Sequence, residues 1–341
     1  MANTNEIGLT KADYRGAPST LCAGCGHNSI ASQIIASAYE LDLVPEQIIK
    51  FSGIGCSSKS PTYFLGRSFG FNSLHGRMPV VATGAMFADH TLHGLAVSGD
   101  GDTSNIGMGH FKHIMRRNVP LVYIVENNGV YGLTKGQFSA TAEKGLVLKN
   151  QGVNQYMPVD IVQEALTSHA TFVARSFAGD AAQVKELIKA ALSHRGIAVL
   201  DIISPCVSFN DRDESHHSYS WTRRHRKMLH DFNYVPILDE IMLEKEFPHG
   251  SIHRVTMHDG SQVVLQKLEQ DYDPSDRIEA MRTVQEANKN DILLTGLIFI
   301  EQYHPNLLDL YDLPERPLNR FKQHELRPTP ESLEKINEMM F

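Results

Sequence analysis

The order of apolar runs along this chain constrains its fold more than any other feature. Short runs rich in β-branched and aromatic residues alternate with segments in which apolar residues recur at helical spacing. The predicted strands are Ile48–Phe51, Leu95–Val97, Leu121–Val125, Thr171–Ala174 and Ala198–Ile203. The predicted helices around them are His27–Tyr39, Val80–Phe87, Ile106–Met115 and Ala181–Leu192. This alternation predicts an α/β fold with a mostly parallel, doubly wound sheet and helices on both of its faces.

The character of the sequence changes after about residue 207. The next stretch is rich in polar and charged residues, and the remainder shows helical spacing at Arg277–Ala287 and Pro330–Met340 without clear alternation of strands and helices. The chain has 341 residues and 42% hydrophobic content, which is enough for one large core. We therefore expect residues 1–207 to form the α/β domain and residues 208–341 to form a C-terminal extension that packs on a partner subunit.

Charge and hydropathy exclude several classes of protein. The net charge of −7 is spread over residues of both signs, which argues against a general nucleic-acid binder. No apolar run is long enough to span a membrane, and the first residues, MANTNEIGLTKADYRG, lack the regions of a signal peptide. The expected compartment is the cytoplasm.

Glycine-rich and polar motifs follow two of the predicted strands. The sequence GDGD begins at Gly99, and NNG begins at Asn127. Ligands of such sheets bind at the carboxyl ends of the strands, and a glycine turn that opens a helix suits a diphosphate. The Asp100 carboxylate, the Asn128 amide oxygen and a backbone carbonyl near Val130 would then supply three oxygen ligands to Mg²⁺. The alternative is that the two motifs are separate surface turns, since each is favourable turn chemistry by itself.

Four cysteines lie beside turns at widely separated positions. Cys22 and Cys25 lie in LCAGCGH, Cys56 in SGIGC and Cys206 in ISPC. A reducing compartment disfavours structural disulfides, so a Cys-x-x-Cys pair there more often binds a metal or does redox chemistry. Four thiolates indicate either an iron–sulfur cluster or a structural zinc ion.

The spacing of GDG and the later asparagine resembles the diphosphate-binding motif of thiamine diphosphate enzymes. Together with CAGCGH at Cys22, GIGCSSK at Gly53, LHGR at Leu74 and NGVYGLTKGQ at Asn128, it resembles the β subunit of 2-oxoacid:ferredoxin oxidoreductases. The resemblance covers roughly residues 18 to 206 and is strongest to the two-subunit 2-oxoglutarate type. It implies the thiamine diphosphate-binding fold.

The resemblance also implies a set of site residues. The cluster ligands would be Cys22, Cys25, Cys56 and Cys206, for one [4Fe-4S] cluster, and the magnesium ligands would be Asp100, Asn128 and Val130. The contacts to thiamine diphosphate would be Ile54, Gly55, Cys56, Ser57, His75, Gly101, Asp102, Gly132 and Leu133.

Two further side chains are candidates for contact with the substrate. His75 would donate a hydrogen bond or a proton near the reacting oxygens, and its alternative role is that of a structural histidine in a turn. Lys59, three residues after Cys56, would bind the distal carboxylate of a dicarboxylic 2-oxoacid. Its alternative role is that of a solvated lysine.

The implied activity is the CoA-dependent oxidative decarboxylation of 2-oxoglutarate to succinyl-CoA and CO₂. Electrons would pass through the [4Fe-4S] cluster to ferredoxin, and the reaction would be reversible as a reductive carboxylation. The alternatives are the same machinery acting on pyruvate or branched-chain 2-oxoacids, or a zinc-stapled binding module without catalysis.

The sequence also predicts partners. Thiamine enzymes need a glutamate on a pyrimidine-binding domain, and this chain is too short for a second domain of that kind. We therefore expect an α subunit that carries this domain, commonly in an α2β2 heterotetramer. Since the sequence has no Cys-x2-Cys-x2-Cys-x3-Cys run, electrons would leave to a separate ferredoxin.

Overall fold

The computed structural model of the protein describes residues 4–149, 151–235, 252–256, 262–267 and 272–340. Its strands are β1 (Ile48–Ser52), β2 (Phe69–Asn72), β3 (His93–Gly99), β4 (Leu121–Asn127), β5 (Val130–Tyr131), β6 (Gln137–Phe138), β7 (Val147–Leu148), β8 (Gly152–Val153), β9 (Phe172–Phe177), β10 (Ala198–Ile203), β11 (Arg226–Met228), β12 (His230–Val235), β13 (Ile252–Thr256), β14 (Gln262–Lys267) and β15 (Leu293–Ile300).

The α-helices are α1 (Gly26–Glu40), α2 (Met78–Ala88), α3 (Met108–Arg116), α4 (Ile161–Thr167), α5 (Ala181–Ser193), α6 (Tyr219–His225), α7 (Arg277–Lys289), α8 (Leu307–Leu310), α9 (Gln323–Leu326) and α10 (Pro330–Met340). Short helical turns also occur, among them a 3₁₀-helix at Ser57–Thr62 and a π-helical turn at Asp102–Ile106. None of the helices in the described ranges is long and apolar enough to cross a membrane.

The main sheet has the strand order β11-β15-β9-β10-β4-β3-β1-β2. All neighbouring strands in it are parallel except β15 and β9, which are antiparallel. The central strands are buried on both faces, which explains why they are continuous apolar runs and not alternating ones. This topology confirms the predicted α/β fold.

Helices cover both faces of the sheet. On β4, Val122 and Ile124 pack in the layer formed with α1 and α5, whereas Tyr123 and Val125 pack in the layer formed with α2, α3, α4 and α7. Successive side chains of a strand point to opposite faces, so each strand contributes to both layers. The sheet is therefore doubly wound, as predicted.

The part of the chain after residue 207 contributes to the main sheet. Strands β11 and β15 continue it beyond β9, and α7 packs its Ala280 and Val284 into the layer that also contains α4. A separate antiparallel sheet has the order β12-β14-β13. The division of the chain at residue 207 and the packing of its last part on a partner stay predictions.

Four neighbouring strands end at the same edge of the main sheet. Strand β1 leads into Gly53, β3 into Asp100, β4 into Asn128 and β10 into Ser204. Because β10, β4, β3 and β1 are adjacent and parallel, the turns after them come together. This edge carries the candidate site.

Candidate cofactor and metal site

The predicted cofactor and magnesium positions line one cleft at the carboxyl ends of the strands. All nine predicted thiamine diphosphate contacts and all three predicted magnesium ligands are on its wall. The cleft is thus built from the turn after β1, the loop before α2, the turn after β3 and the segment after β4.

Asp100 is held by the segment that follows the neighbouring strand. Its carboxylate accepts hydrogen bonds from the backbone N–H groups of Asn128 (3.3 Å) and Gly129 (3.1 Å), from Thr141 Oγ1 (2.7 Å) and from the Ser139 hydroxyl. The side chain is 1% exposed. Four hydrogen-bond donors therefore fix the position of this buried carboxylate.

Asn128 and Val130 form a tight turn beside this carboxylate. Asn128 Oδ1 accepts a hydrogen bond from the Val130 N–H at 3.0 Å, and Gly129 between them has φ +74°, in the left-handed region that favours glycine. Both ligand residues are buried. A carboxylate, an amide and a backbone carbonyl offer the all-oxygen set that Mg²⁺ prefers, so the residues fit this ion.

Asp102 joins three walls of the cleft. Its carboxylate accepts hydrogen bonds from the Ile54 N–H (3.3 Å), the Gly76 N–H (2.8 Å) and Ser98 Oγ (2.6 Å). A Cβ on Gly53 would lie 1.8 Å from Asp102 Oδ2, so the turn after β1 approaches this carboxylate as only glycine permits. Asp102 therefore fixes the turn after β1 against the loop before α2.

His75 packs on this carboxylate. Its Nδ1 atom faces Asp102 Oδ1, and its ring makes an edge contact with Tyr131. The imidazole is thus held on the cleft wall between the Asp102 carboxylate and the Tyr131 ring.

The turns that carry the four cysteines converge next to the cleft. A Cβ on Gly132 would lie 3.5 Å from Cys206 Sγ and 3.6 Å from Cys56 Sγ, so these two thiols face the same point of the wall. The Cys22–Cys25 turn is tied to the Cys206 turn, because the Gly26 N–H donates to the Pro205 carbonyl (3.3 Å) and Ser208 Oγ donates to Cys22 Sγ (3.3 Å).

Burial raises the pKa values of three of the four thiols. It raises the pKa of Cys25 to about 12 and also raises the pKa values of Cys56 and Cys206, with the neighbouring thiols adding to the rise. The backbone N–H of His27 lowers the pKa of Cys25, and those of Phe209, Ser208 and Asn210 lower that of Cys206. N–H groups directed at sulfur are what tunes an iron–sulfur cluster, so the residues fit one.

In the described ranges, no group of three or more His, Cys, Asp and Glu side chains is arranged to hold a single metal ion. In a [4Fe-4S] cluster, the four thiolates bind four separate irons. The absence of a single-ion arrangement in the described ranges therefore does not test whether the four cysteines hold such a cluster. The cysteines are all free thiols.

Lys59 lies outside the cleft wall. It is exposed on the 3₁₀-helix that follows Cys56, and its backbone N–H donates to the Cys56 carbonyl at 3.1 Å. Its ammonium group opposes the rise that burial causes in the pKa of Cys56. The side chain is thus close to the thiol but not among the groups that line the cleft.

The structure brings in residues that the sequence interpretation missed. Glu126 is fully buried on the cleft wall, where Ser60 Oγ donates to both of its carboxylate oxygens (3.2 and 3.0 Å) and His27 Nδ1 lies 3.5 Å away. Burial raises the pKa of Glu126 well above its ordinary value and lowers that of His27 to about 4. The signal in the sequence was a glutamate inside an otherwise apolar buried strand.

Comparison with known proteins agrees with this geometry. Residues 53–202 match the family model described as the C-terminal TPP binding domain of thiamine pyrophosphate enzymes. A 2-oxoacid:ferredoxin oxidoreductase subunit beta of Saccharolobus solfataricus is 40% identical over 218 residues, which are 64% of this chain and 70% of that protein.

Two further relatives carry 2-oxoglutarate in their names. The 2-oxoglutarate oxidoreductase subunit KorB of Mycobacterium tuberculosis is 42% identical over 191 residues, 56% of this chain and 51% of that protein. A structure of 2-oxoglutarate:ferredoxin oxidoreductase from Magnetococcus marinus, with 2-oxoglutarate, coenzyme A and succinyl-CoA bound, aligns over 100% of both chains with a TM-score of 0.75 and 27% identity.

The fold and the cleft define a thiamine diphosphate-binding domain of an oxidoreductase. The chain belongs to the family of 2-oxoacid:ferredoxin oxidoreductase β subunits. This membership confirms the predicted family and its enzymatic nature, and it does not agree with the alternative of a zinc-stapled module without catalysis.

Proposed function

We propose that this chain is the β subunit of an enzyme that oxidises 2-oxoglutarate and CoA to succinyl-CoA and CO₂, with two electrons passed singly to ferredoxin. The observation that carries the proposal is the convergence of two sites. The cleft wall holds all twelve predicted cofactor and magnesium positions, and Cys56 and Cys206 meet at Gly132 on the same wall. An electron acceptor beside the reacting centre is what single-electron oxidation requires.

The diphosphate end of the cofactor would be held by magnesium and the turn after β3. Asp100, Asn128 and the Val130 carbonyl would bind the ion. Gly101 leaves room for the Tyr131 ring, which would lie 2.5 Å from a Cβ at this position. When bound, thiamine diphosphate supplies the carbon nucleophile and the electron sink for decarboxylation, and an iron–sulfur cluster accepts single electrons.

His75 would act on the substrate through Nε2. The Asp102 carboxylate lies against Nδ1 and would hold the ring in place. Nε2, the other ring nitrogen, would then hydrogen-bond to a molecule in the cleft. We propose that it orients the substrate's carboxylate or keto oxygen.

Ferredoxin would approach at the exposed end of the thiol group. Cys22 is exposed, whereas Cys25, Cys56 and Cys206 are partly buried. A cluster on these four residues would reach the surface at Cys22, which is the shortest exit for an electron. A reducing cytoplasmic setting, which keeps the thiols unpaired, is part of this proposal.

An α subunit would cover the mouth of the cleft. Exposed apolar side chains surround it: Ile54, Leu74, Ile106 and Leu133, of which Leu74 is 78% exposed. Exposed apolar residues concentrated at one place mark an interaction surface. We propose that a pyrimidine-binding domain with the required glutamate docks here, in an α2β2 assembly.

Lys59 would select a dicarboxylic substrate. In the αβ complex, Lys59→Ala is expected to raise KM for 2-oxoglutarate by about tenfold, the factor that corresponds to about 1.4 kcal/mol, because an ammonium partner of the distal carboxylate is lost. KM for pyruvate should change little. Initial rates of viologen reduction with 2-oxoglutarate, pyruvate and branched-chain 2-oxoacids provide the measurement.

Lys59→Arg is the matched control, because it keeps a positive charge and should keep most of the affinity for 2-oxoglutarate. Equal changes of KM for 2-oxoglutarate and pyruvate in Lys59→Ala would remove the role of Lys59. A wild-type preference for pyruvate or branched-chain acids would replace the proposed substrate.

A further inference from the structure

The chain segment after Cys206 folds back over the turn that carries the magnesium ligands. Asn210, in a polar stretch with no assigned role, is 1% exposed. Its Nδ2 atom donates to the Asn128 carbonyl at 2.9 Å, and its backbone N–H donates to the Cys206 carbonyl at 2.8 Å. One residue thus joins the turn of the fourth thiol to the turn of a predicted magnesium ligand.

The contact is steric as well as polar. Gly129 has φ +74°, and a Cβ on it would lie 2.9 Å from both Asn210 Nδ2 and His217 Nδ1. On the opposite side of this turn, the backbone N–H groups of Asn128 and Gly129 donate hydrogen bonds to the Asp100 carboxylate. The turn is therefore clamped between Asp100 and Asn210.

The oxygen atom of the Asn210 side-chain amide has no hydrogen-bond partner among the described residues. This atom, Oδ1, is buried. A buried, half-satisfied amide costs folding free energy, so its placement calls for an explanation other than stability.

We propose that Asn210 is a positioning residue for the magnesium site, an inference that rests on the proposed function. Its hydrogen bond fixes the peptide plane between Asn128 and Gly129, and with it the direction of the Asn128 side chain and the Val130 carbonyl. Mg²⁺ demands near-ideal octahedral geometry, whereas Ca²⁺ accepts irregular geometry. Loosening this turn therefore weakens the binding of Mg²⁺ more than that of Ca²⁺.

The test uses the co-purified αβ complex, stripped of metal and cofactor under anaerobic conditions. Equilibrium dialysis measures thiamine diphosphate binding as a function of Mg²⁺ and, separately, of Ca²⁺. In Asn210→Ala the Mg²⁺ concentration for half-saturation is expected to rise about tenfold, through loss of a buried hydrogen bond, and that for Ca²⁺ less than about threefold. Asn210→Asp, nearly the same size, should weaken Mg²⁺ binding at least as much, because it places an oxygen against the Asn128 carbonyl.

Asn306→Ala is the matched control for a general loss of stability. Asn306 is buried, and its Nδ2 atom likewise donates to a backbone carbonyl, that of Arg195 at 3.2 Å, but near the amino ends of the strands. It should leave both metal titrations unchanged. Iron content and the EPR spectrum of the reduced complex verify that each variant is intact.

Three results would overturn the inference: Mg²⁺ half-saturation of Asn210→Ala within about twofold of wild type, an equal weakening for Mg²⁺ and Ca²⁺, or an equal weakening in Asn306→Ala. Failure of the wild-type complex to bind thiamine diphosphate with either ion would instead overturn the proposed function.

Discussion

The two halves of the site are prepared by the fold to different degrees. In the half proposed to bind magnesium, four donors surround the Asp100 carboxylate and the Asn128 turn is closed by its own hydrogen bond. In the thiol half, burial raises the pKa values of Cys25, Cys56 and Cys206, which keeps these groups protonated. Folding thus organises the proposed oxygen ligands, whereas these three thiols would need a metal to release their protons.

The largest expected effect comes from a variant that removes a thiol and leaves the carboxylate half of the site unchanged. Cys22→Ala should remove the cluster and lower the rate of ferredoxin reduction at least about a hundredfold, because one iron would lose its ligand. Thiamine diphosphate binding at saturating Mg²⁺ should stay within about threefold of wild type, since the carboxylate half forms without the cluster. Iron and sulfide analysis with equilibrium dialysis measures both.

Ser208→Ala is the control for this variant, because it removes the hydroxyl on Cys22 Sγ but no thiol and should keep the cluster. Loss of thiamine diphosphate binding together with the iron in Cys22→Ala would show that the two halves form only together.

Asp100→Asn changes the carboxylate half of the site and leaves the four thiols unchanged. It should weaken Mg²⁺-dependent thiamine diphosphate binding by about a hundredfold, which corresponds to about 2.7 kcal/mol, because an amide replaces the charged ligand. Iron content should be that of wild type. Isothermal titration of the anaerobic complex provides the affinity.

Ser139→Ala trims one of the four donors to Asp100 and leaves the ligand charge unchanged, so its effect should be several-fold smaller. An Asp100→Asn complex that binds Mg²⁺ as wild type does would remove Asp100 from the ligand set.

Glu126 lies where the two halves adjoin, and its effect is on the stability of the fold and not on cofactor binding. Burial raises its folded pKa above the ordinary 4.5, so the folded state keeps a proton that the unfolded state loses above that pH. Relative to Glu126→Gln, wild type should lose stability as pH rises, by up to about 1.4 kcal/mol per pH unit. Unfolding at pH 5.5, 6.5 and 7.5 measures this.

Asp89→Asn is a buried carboxylate control with the opposite sign. Burial alone would raise the pKa of Asp89, but the hydrogen bonds from Thr91 Oγ1 and Asn319 Nδ2 lower it. Its stabilisation is present above the ordinary pKa of 3.8 and is lost only as pH falls below that value, and neither partner titrates between pH 5.5 and 7.5, so the difference from wild type should not change across this range. A pH-independent difference for Glu126→Gln would mean that Glu126 is ionised in the folded protein.

The sequence predicted the parts of the molecule whose signals are local. Strands β1, β3, β4 and β10 are compact apolar runs, and Asp100 and Asn128 stand in short motifs directly after two of them. Each of these features is encoded within about ten residues, so pattern and turn chemistry suffice.

The parts that were missed depend on distant contacts. Asn210 owes its role to Asn128, 82 positions away, and Glu126 owes its protonation to burial against Ser60, 66 positions away. Strand β15 pairs antiparallel with β9, more than a hundred residues earlier, which no alternation pattern indicates. Lys59 could be named from its motif, but its exposure depends on how the helix after Cys56 lies on the surface.

The most direct test of the account is EPR spectroscopy of the anaerobically purified αβ complex with Mg²⁺ and thiamine diphosphate. The account predicts that 2-oxoglutarate alone produces the signal of a reduced [4Fe-4S] cluster, and that omitting either Mg²⁺ or thiamine diphosphate prevents it. A complex that contains zinc in place of iron, or a cluster that dithionite reduces and 2-oxoglutarate does not, would contradict it.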